Sequence, residues 1–337
     1  MDLTALDLTA QDLTALDLKT LWFGVIAFFW TSYFVLEGFD FGVGMLARIL
    51  GRDEAERGVL LSTIGPFWDG NEVWLVVAGG AMFAAFPEWY GGLTSIYYLP
   101  LVVILVALIV RGVALEYRGK RDDPVWRRRC DLGVALGSLV PPLAWGIALA
   151  GAARGLPLDA SGTFAGSAGD LLSPYALLGG TALLGLCLVH GAAFLRLRTT
   201  GRLRGRAGTA RRRLAVPVAV VAGGLLAWTA ISGGHLGTWL AVVAGAGLVV
   251  GSLERRDGVA FAGTTVAIGG TVAAVFVSSF PALIPSTLPG GHAVTVTTAA
   301  SSGYALAILS WTALFFVPLV LAYQGWSYWV FRRRVAG

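Results

Sequence analysis

The chain alternates long apolar runs with short polar breaks from about residue 18 onward. An α-helix rises 1.5 Å per residue, so about 20 apolar residues are needed to cross a hydrocarbon layer of ~30 Å. Runs of about that length or longer lie at 18 to 47, 59 to 86, 93 to 116, 131 to 151, 172 to 195, 214 to 232, 236 to 253, 258 to 280 and 304 to 331. The pattern predicts an all-α integral membrane protein with about nine transmembrane helices in one bundle.

The first 17 residues differ from everything that follows. They consist of five-residue units such as DLTAL and DLTAQ. A five-residue period scatters the leucines over all faces of a helix, so it predicts no amphipathic helix. The acidic start also lacks the basic region of a signal peptide. We predict a disordered low-complexity segment at 1–17 and a single nine-helix transmembrane domain at 18–337.

Composition agrees with a membrane protein, because 56% of residues are hydrophobic, 13% are charged and the mean hydropathy is +0.73. The net charge of +5 comes from basic residues grouped between the apolar runs, which is typical of membrane loops and excludes a nucleic-acid-binding surface. The two cysteines, Cys130 and Cys187, have no metal-ligand or haem-attachment spacing. We therefore expect no disulfide and no covalent haem.

The basic residues also predict orientation. All 25 Lys and Arg residues except Lys19, Arg111 and Arg154 fall after alternate predicted helices or at the C-terminal end. Basic loops favour the cytoplasmic side. The alternation predicts nine spans with the N-terminus outside and the C-terminus in the cytoplasm.

Four acidic residues lie well inside predicted spans, away from the span ends, as the pairs Glu37 and Asp40 and Asp69 and Glu72. Residues three apart share one helix face, and a hairpin between the two helices would bring those faces together. With a straight rise from the basic boundary, Asp40, Glu37, Asp69 and Glu72 lie roughly 12, 16, 18 and 22 Å deep. Intramembrane ionisable groups are expensive and commonly mark ion or proton paths.

Two interpretations of these acids stay open. In the first, the carboxyls hand protons inward from the cytoplasmic side with water between them, and Trp68 and Asn71 belong to the same proton path. In the second, they accept structural hydrogen bonds from neighbours such as Trp68, Asn71 and Trp74. Arg111 and Glu116, near the end of the third predicted span, are interpreted as interfacial anchors.

His190 is the only histidine within a predicted span, since His235 and His292 are expected in outer loops. A bis-histidine haem needs two facing histidines, which this chain does not provide. A His–Met pair that uses Met45 or Met82 stays open, although a single buried His or Met usually serves packing.

Several motifs together resemble a known family. They are Gly38 to Leu46 (GFDFGVGML), Gly65 to Leu75 (GPFWDGNEVWL), Phe83 to Tyr90 (FAAFPEWY), Arg111 to Arg118 (RGVALEYR) and His190 to Ala192 (HGA). On these residues the chain is similar to subunit II of the cytochrome bd-type quinol oxidases. An unusually Arg-rich loop, predicted at 196 to 213, departs from the family pattern.

The resemblance implies a nine-helix subunit of the bacterial plasma membrane that binds no haem itself. Its partner, subunit I, would hold two b-type haems and one d-type haem, oxidise quinol and reduce O2 to water with cytoplasmic protons. Asp69 matches the family's proposed proton-conducting acid, with Trp68 beside it, and Glu37 and Asp40 match further acidic positions. The resemblance also allows a structurally bound quinone.

A function of another class would also use acids within the membrane. A stand-alone secondary transporter would use the acids to couple its substrate to protons. Such transporters usually have paired interrupted helices in two halves. The Gly65-Pro66 interruption has no clear counterpart later in the chain, which favours the oxidase subunit.

Overall fold

The computed structural model describes residues 10–232 and 234–336, and it is almost entirely helical. The helices are α1 (Ala10–Leu50), α2 (Glu54–Ser62), α3 (Trp68–Ala85), α4 (Pro87–Ile96), α5 (Tyr98–Tyr117), α6 (Pro124–Arg154), α7 (Pro174–Arg198), α8 (Gly201–Ser232), α9 (Gly234–Leu253), α10 (Asp257–Ser279) and α11 (Gly303–Val330). Within these ranges, eight helices, α1 and α5 to α11, are long and apolar enough to cross a membrane. The prediction of an all-α membrane protein is confirmed.

The predicted span at 59 to 86 accounts for the difference from nine. A turn at residues 63–67 separates α2 from α3. Pro66 lies in this turn and has no backbone N–H to continue a helix. The 18-residue helix α3 then opens with Asp69, Asn71 and Glu72 within its first five residues, so its apolar part is short.

Two other boundaries differ from the prediction. The basic segment at 196 to 213 is mostly helical, because α8 begins at Gly201 and carries its arginines on helical turns. His235, expected in a loop, lies in the first turn of α9. The disorder predicted for 1–17 stays a prediction: residues 1–9 lie outside the described residues, and α1 begins at Ala10.

Helix α1 lies at the centre of the bundle, where it packs against α3, α6, α7 and α10. Its crossing with α7 requires glycine on both helices. A Cβ at Gly42 would lie 2.0 Å from the Cys187 carbonyl oxygen, and one at Gly191 would lie 2.5 Å from Gly42. Small residues allow such close approach where van der Waals packing holds membrane helices together.

The end of the bundle opposite the basic loops is closed by two long connections that bind each other. Strands β1 (Ala282–Ile284) and β2 (Val294–Thr295) form a short antiparallel pair. Leu156, in the connection after α6, donates its N–H to the Pro285 carbonyl at 2.9 Å and accepts from Thr287 N–H at 3.0 Å.

Candidate functional site

The helices that carry the two acidic pairs, α1 and α3, are joined by the side chain of Asn71. This side chain is fully buried in the first turn of α3 and faces α1. Its amide nitrogen donates to Asp40 Oδ2 at 2.6 Å and to the Leu36 carbonyl at 3.2 Å. Its amide oxygen accepts from Gln324 Nε2 and from the Tyr328 hydroxyl, both at 2.8 Å and both on α11. Asn71 therefore ties α1, α3 and α11 together at the level of Asp40.

Glu37, one turn from Asp40, forms an ion pair with Arg111 of α5. Both side chains are 0% exposed. The guanidinium carbon also lies 4.8 Å from the centre of the Phe41 ring. Gly137 of α6 makes the space, since a Cβ there would lie 2.6 Å from Arg111 Cβ.

The interpretation of Arg111 as an interfacial anchor is wrong. α5 continues six residues beyond it to Tyr117, which places Arg111 roughly 9 Å before the helix end. At that depth its charge is stabilised by a buried carboxylate rather than by water. The presence of acids inside a predicted span was the sequence feature that indicated a nearby cation, because buried charges are commonly paired.

Several polar atoms of this cluster have no hydrogen-bond partner among the residues that the structure describes. They are Glu37 Oε2, Asp40 Oδ1, Arg111 Nε and Arg111 Nη2, with the Tyr33 hydroxyl nearby on α1. Glu37 and Asp40 also interact electrostatically with each other. Buried polar groups are usually satisfied by protein or ordered water. We name Glu37, Asp40, Asn71 and Arg111 the buried polar cluster.

Asp69 and Glu72 lie outside the buried polar cluster. Asp69 is exposed in the first turn of α3, where the helix dipole favours a negative charge. It lines a groove of about 540 Å³ with Glu116 of α5 and Gln324 of α11. Glu72 is partly buried and interacts electrostatically with Arg111 and Asp69.

The four acids therefore do not lie one behind another in order of depth. Glu37 and Asp40 belong to the buried polar cluster, whereas Asp69 lies in a groove. The straight rise used for Asp69 and Glu72 does not apply, because the turn at 63–67 interrupts the helix. Trp68 packs against Gly112 of α5, with its ring 3.3 Å from the position of a Cβ there. It forms part of the wall of the Asp69 groove.

His190 is fully buried, and both of its ring nitrogens are engaged. Nδ1 lies 2.7 Å from the Thr264 hydroxyl, and Nε2 lies 3.1 Å from the Val35 carbonyl. The Val35 carbonyl can only accept, so Nε2 carries a proton. Nδ1 is within hydrogen-bond distance of the Thr264 hydroxyl, which also lies 2.8 Å from the Phe261 carbonyl. The ring also stacks on Phe261, with centroids 4.6 Å apart.

This environment does not fit a haem ligand, because neither nitrogen is available to iron. No group of three or more His, Cys, Asp or Glu side chains suited to a metal ion occurs within the described ranges either. Within the part of the chain that the structure describes, His190 therefore has no free nitrogen for a haem iron.

The sequence did not indicate the role of three residues of this site. They are Arg111, Gln324 and Tyr328. The last two lie four residues apart on α11, so they share one face. Their spacing was visible in the sequence, but the helix they would face was not.

The fold and site define a multi-pass helical membrane protein with a buried acid–arginine cluster. Comparison with known proteins narrows this class. The family model described as cytochrome bd terminal oxidase subunit II matches residues 18–331. The chain belongs to this family, and it is therefore a subunit of a membrane-bound terminal oxidase, an oxidoreductase.

Individual relatives agree. The chain is 41% identical over 328 residues to the cytochrome bd ubiquinol oxidase subunit 2 of Bacillus subtilis (strain 168), which covers 94% of this chain and 96% of that protein. It is 31% identical over 351 residues to the cytochrome bd-I ubiquinol oxidase subunit 2 of Escherichia coli (strain K12), covering 92% and 93%.

A solved structure supports the fold. A chain of the bd oxidase from Geobacillus thermodenitrificans superposes with a TM-score of 0.71 and 18% sequence identity, covering 93% of this chain and 98% of that one. At this identity the match concerns the architecture alone.

Proposed function

We propose that this chain is the haem-free subunit of a quinol:O2 oxidoreductase and that it leads cytoplasmic protons toward a haem-bearing subunit I. Quinol oxidation and the reduction of O2 to water would take place in that partner. The Bacillus and Escherichia relatives are named as ubiquinol oxidase subunits. The observation that carries the proposal is the buried polar cluster, where two carboxyls share one fully buried arginine.

The charge balance of the cluster supports proton transfer. Arg111 forms an ion pair with Glu37, whereas Asp40 accepts a hydrogen bond from the neutral Asn71 amide and also interacts with Glu37 and, electrostatically, with Arg111. Two neighbouring carboxyls in a low-dielectric interior repel each other when both are charged. The pair would therefore hold one exchangeable proton. Its unpartnered oxygens are suited to water molecules that carry the proton on.

Asp69 is suited to collect protons at the start of this route. It is exposed in a groove whose wall includes Trp68 and Glu116. Glu72 lies three residues further along α3 and interacts with Asp69 on one side and Arg111 on the other. The proposed route runs from Asp69 past Glu72 to Glu37 and Asp40, and Asn71 positions Asp40 without carrying a proton.

The same face is the one we propose for contact with subunit I. In the apolar stretch of α11, only 6% of the residues are buried, although this helix supplies Gln324 and Tyr328 to the site. An exposed apolar helix beside the proton-collecting groove suits a partner subunit as well as lipid. The orientation that we propose from the basic loops, with the N-terminus outside and the C-terminus in the cytoplasm of the bacterial plasma membrane, needs an odd number of crossings. The 18-residue helix α3 would then cross in addition to the eight long helices.

The cofactor proposal rests on His190. Both of its nitrogens are used within the bundle, which supports haem-free status and speaks against a His–Met pair with Met45 or Met82. A structurally bound quinone stays a prediction. An apolar groove of about 750 Å³ between α1 and α11, near Trp22 and Phe28, is large enough for part of one.

One absorption spectrum tests the assignment. If the proposal holds, a tag on this chain co-purifies a second membrane polypeptide and a visible spectrum with b- and d-type haem bands. A colourless preparation of this chain alone would contradict it and return attention to the stand-alone transporter. Family membership already speaks against that alternative.

A further inference from the structure

The Arg-rich start of α8 has no part in the proposed proton route, yet it lines a large charged groove on the described surface. This groove, of about 880 Å³, lies between the end of α1, the start of α2 and α8. We name it the basic groove. Its charged lining residues are Arg52, Asp53, Glu56, Arg202, Arg206 and Arg213, and its apolar ones include Leu46, Ile49 and Leu214.

Positive charge exceeds negative charge in the basic groove. Arg206 is neutralised by Glu56, with which it forms an ion pair. The hydrogen bond from Arg206 holds the pKa of Glu56 below its ordinary value, so Glu56 is charged at neutral pH. Asp53 is engaged as the N-cap of α2, where it accepts from the Glu56 N–H at 2.8 Å.

Three arginines then remain without a carboxylate. Arg52, Arg202 and Arg213 are exposed, and none of their side chains forms an ion pair within the part of the chain described. Guanidinium groups are suited to phosphate, which they bind with paired N–H donors. The lining therefore offers cationic donors for a phosphate group.

On one face of α8, arginines are followed by exposed apolar residues. Arg202, Arg206 and Arg213 follow each other at intervals of four and seven residues, so they share one face of the helix. The next positions on that face are Val216 and Val220, each 70% exposed.

Ile49 of α1, 74% exposed, lies at the groove as well. Phosphate-binding groups at one end and an apolar surface toward the bilayer match the two chemical parts of a phospholipid.

We propose that the basic groove binds one anionic glycerophospholipid of the leaflet on the basic side. The phosphate would lie among Arg52, Arg202 and Arg213, and an acyl chain would lie along Val216 and Val220. Basic pockets between membrane helices bind anionic headgroups through the same physics. The proposal is independent of the proton route, and either can fail without the other.

The test uses the complete oxidase complex, purified in mild detergent. Native mass spectrometry during titration with dioleoyl phosphatidylglycerol counts bound lipid and gives an apparent Kd. We expect one saturable phosphatidylglycerol site that weakens about 30-fold in Arg202→Gln/Arg213→Gln, from the loss of two arginine–phosphate attractions. Each single variant is expected to weaken it about 5-fold, which decides the question if the double variant does not assemble.

The matched control is Arg128→Gln/Arg129→Gln, which removes two exposed arginines elsewhere on the basic side. It should bind as the unmodified complex does. Dioleoyl phosphatidylcholine and free sn-glycerol 3-phosphate should show no saturable binding that depends on Arg202 and Arg213. Equal binding by the groove variants and the unmodified complex, equal loss in the control, or equal binding of phosphatidylcholine or glycerol phosphate would overturn the proposal.

Discussion

Removing the cation of the Glu37–Arg111 pair is the most costly single change that the buried polar cluster offers. Both side chains are 0% exposed, so bulk solvent does not reach a carboxylate that has lost its partner. Arg111→Gln leaves the Glu37 carboxyl buried without its cation. Breaking a buried ion pair in this way costs about 3–5 kcal/mol. We expect a marked fall in thermal stability and in the amount of assembled complex.

Removing both charges should cost much less. In Glu37→Gln/Arg111→Gln, two amides can hydrogen-bond to each other, and neither charge is buried alone. Replacing a whole buried pair is often nearly neutral, so the double variant should recover most of the loss. The coupling energy between the two positions is then about 2 kcal/mol or more.

The assay measures, by fluorescence-detected size exclusion, the fraction of tagged complex that stays monodisperse after heating. It is applied to Glu37→Gln, to Arg111→Gln and to the double variant. Arg128→Gln, an exposed arginine on the basic side, is the matched control and should behave as the unmodified complex does. Wild-type stability in Arg111→Gln, or a double variant that loses the sum of the two singles, would refute the pairing argument.

Three further predictions concern the route and its supports. Asp69→Asn should lower quinol oxidase turnover about 10-fold or more with unchanged haem content. The control Asp122→Asn changes an acid that is 98% exposed and should leave turnover unchanged. Loss of haem together with activity would indicate a structural role for Asp69. Tyr328→Phe removes one of two hydrogen bonds to the Asn71 oxygen and should cost about 1 kcal/mol in the heating assay, and no change would mean that this bond contributes nothing. His190→Gln should leave the reduced-minus-oxidised haem spectrum unchanged, and a missing haem band would identify His190 as a ligand.

The apolar pattern predicted most of the helices, because length and hydropathy alone decide whether a segment can cross a bilayer. It failed where polar residues sit at helix ends. The segment 59 to 86 contains Pro66 and three polar residues close behind it, and the chain turns there instead of continuing a helix. The segment 196 to 213 was expected as a loop because of its arginines, yet their long side chains lie on the surface of α8 while Leu203 and Ala207 pack inward.

The acids of the site were predictable, but their partners were not. Spacing alone placed Glu37 and Asp40 on one face of α1. Which helix would bring a cation to Glu37 depends on how α5 packs against α6 at Gly137, a contact between distant parts of the chain. The contact of Asn71 with Gln324 and Tyr328 likewise joins residues more than 250 positions apart, which no local pattern reveals.

The central claim is that protons pass through the Glu37–Asp40 pair, and proton uptake during a single turnover with O2 tests it most directly. A pH-indicating dye would follow uptake by the purified complex with Asp40 intact and with Asp40→Asn, which keeps an acceptor for Asn71 but removes the carboxyl. The account predicts uptake slowed about 10-fold or more at unchanged haem content. Uptake at the unmodified rate in Asp40→Asn would contradict it.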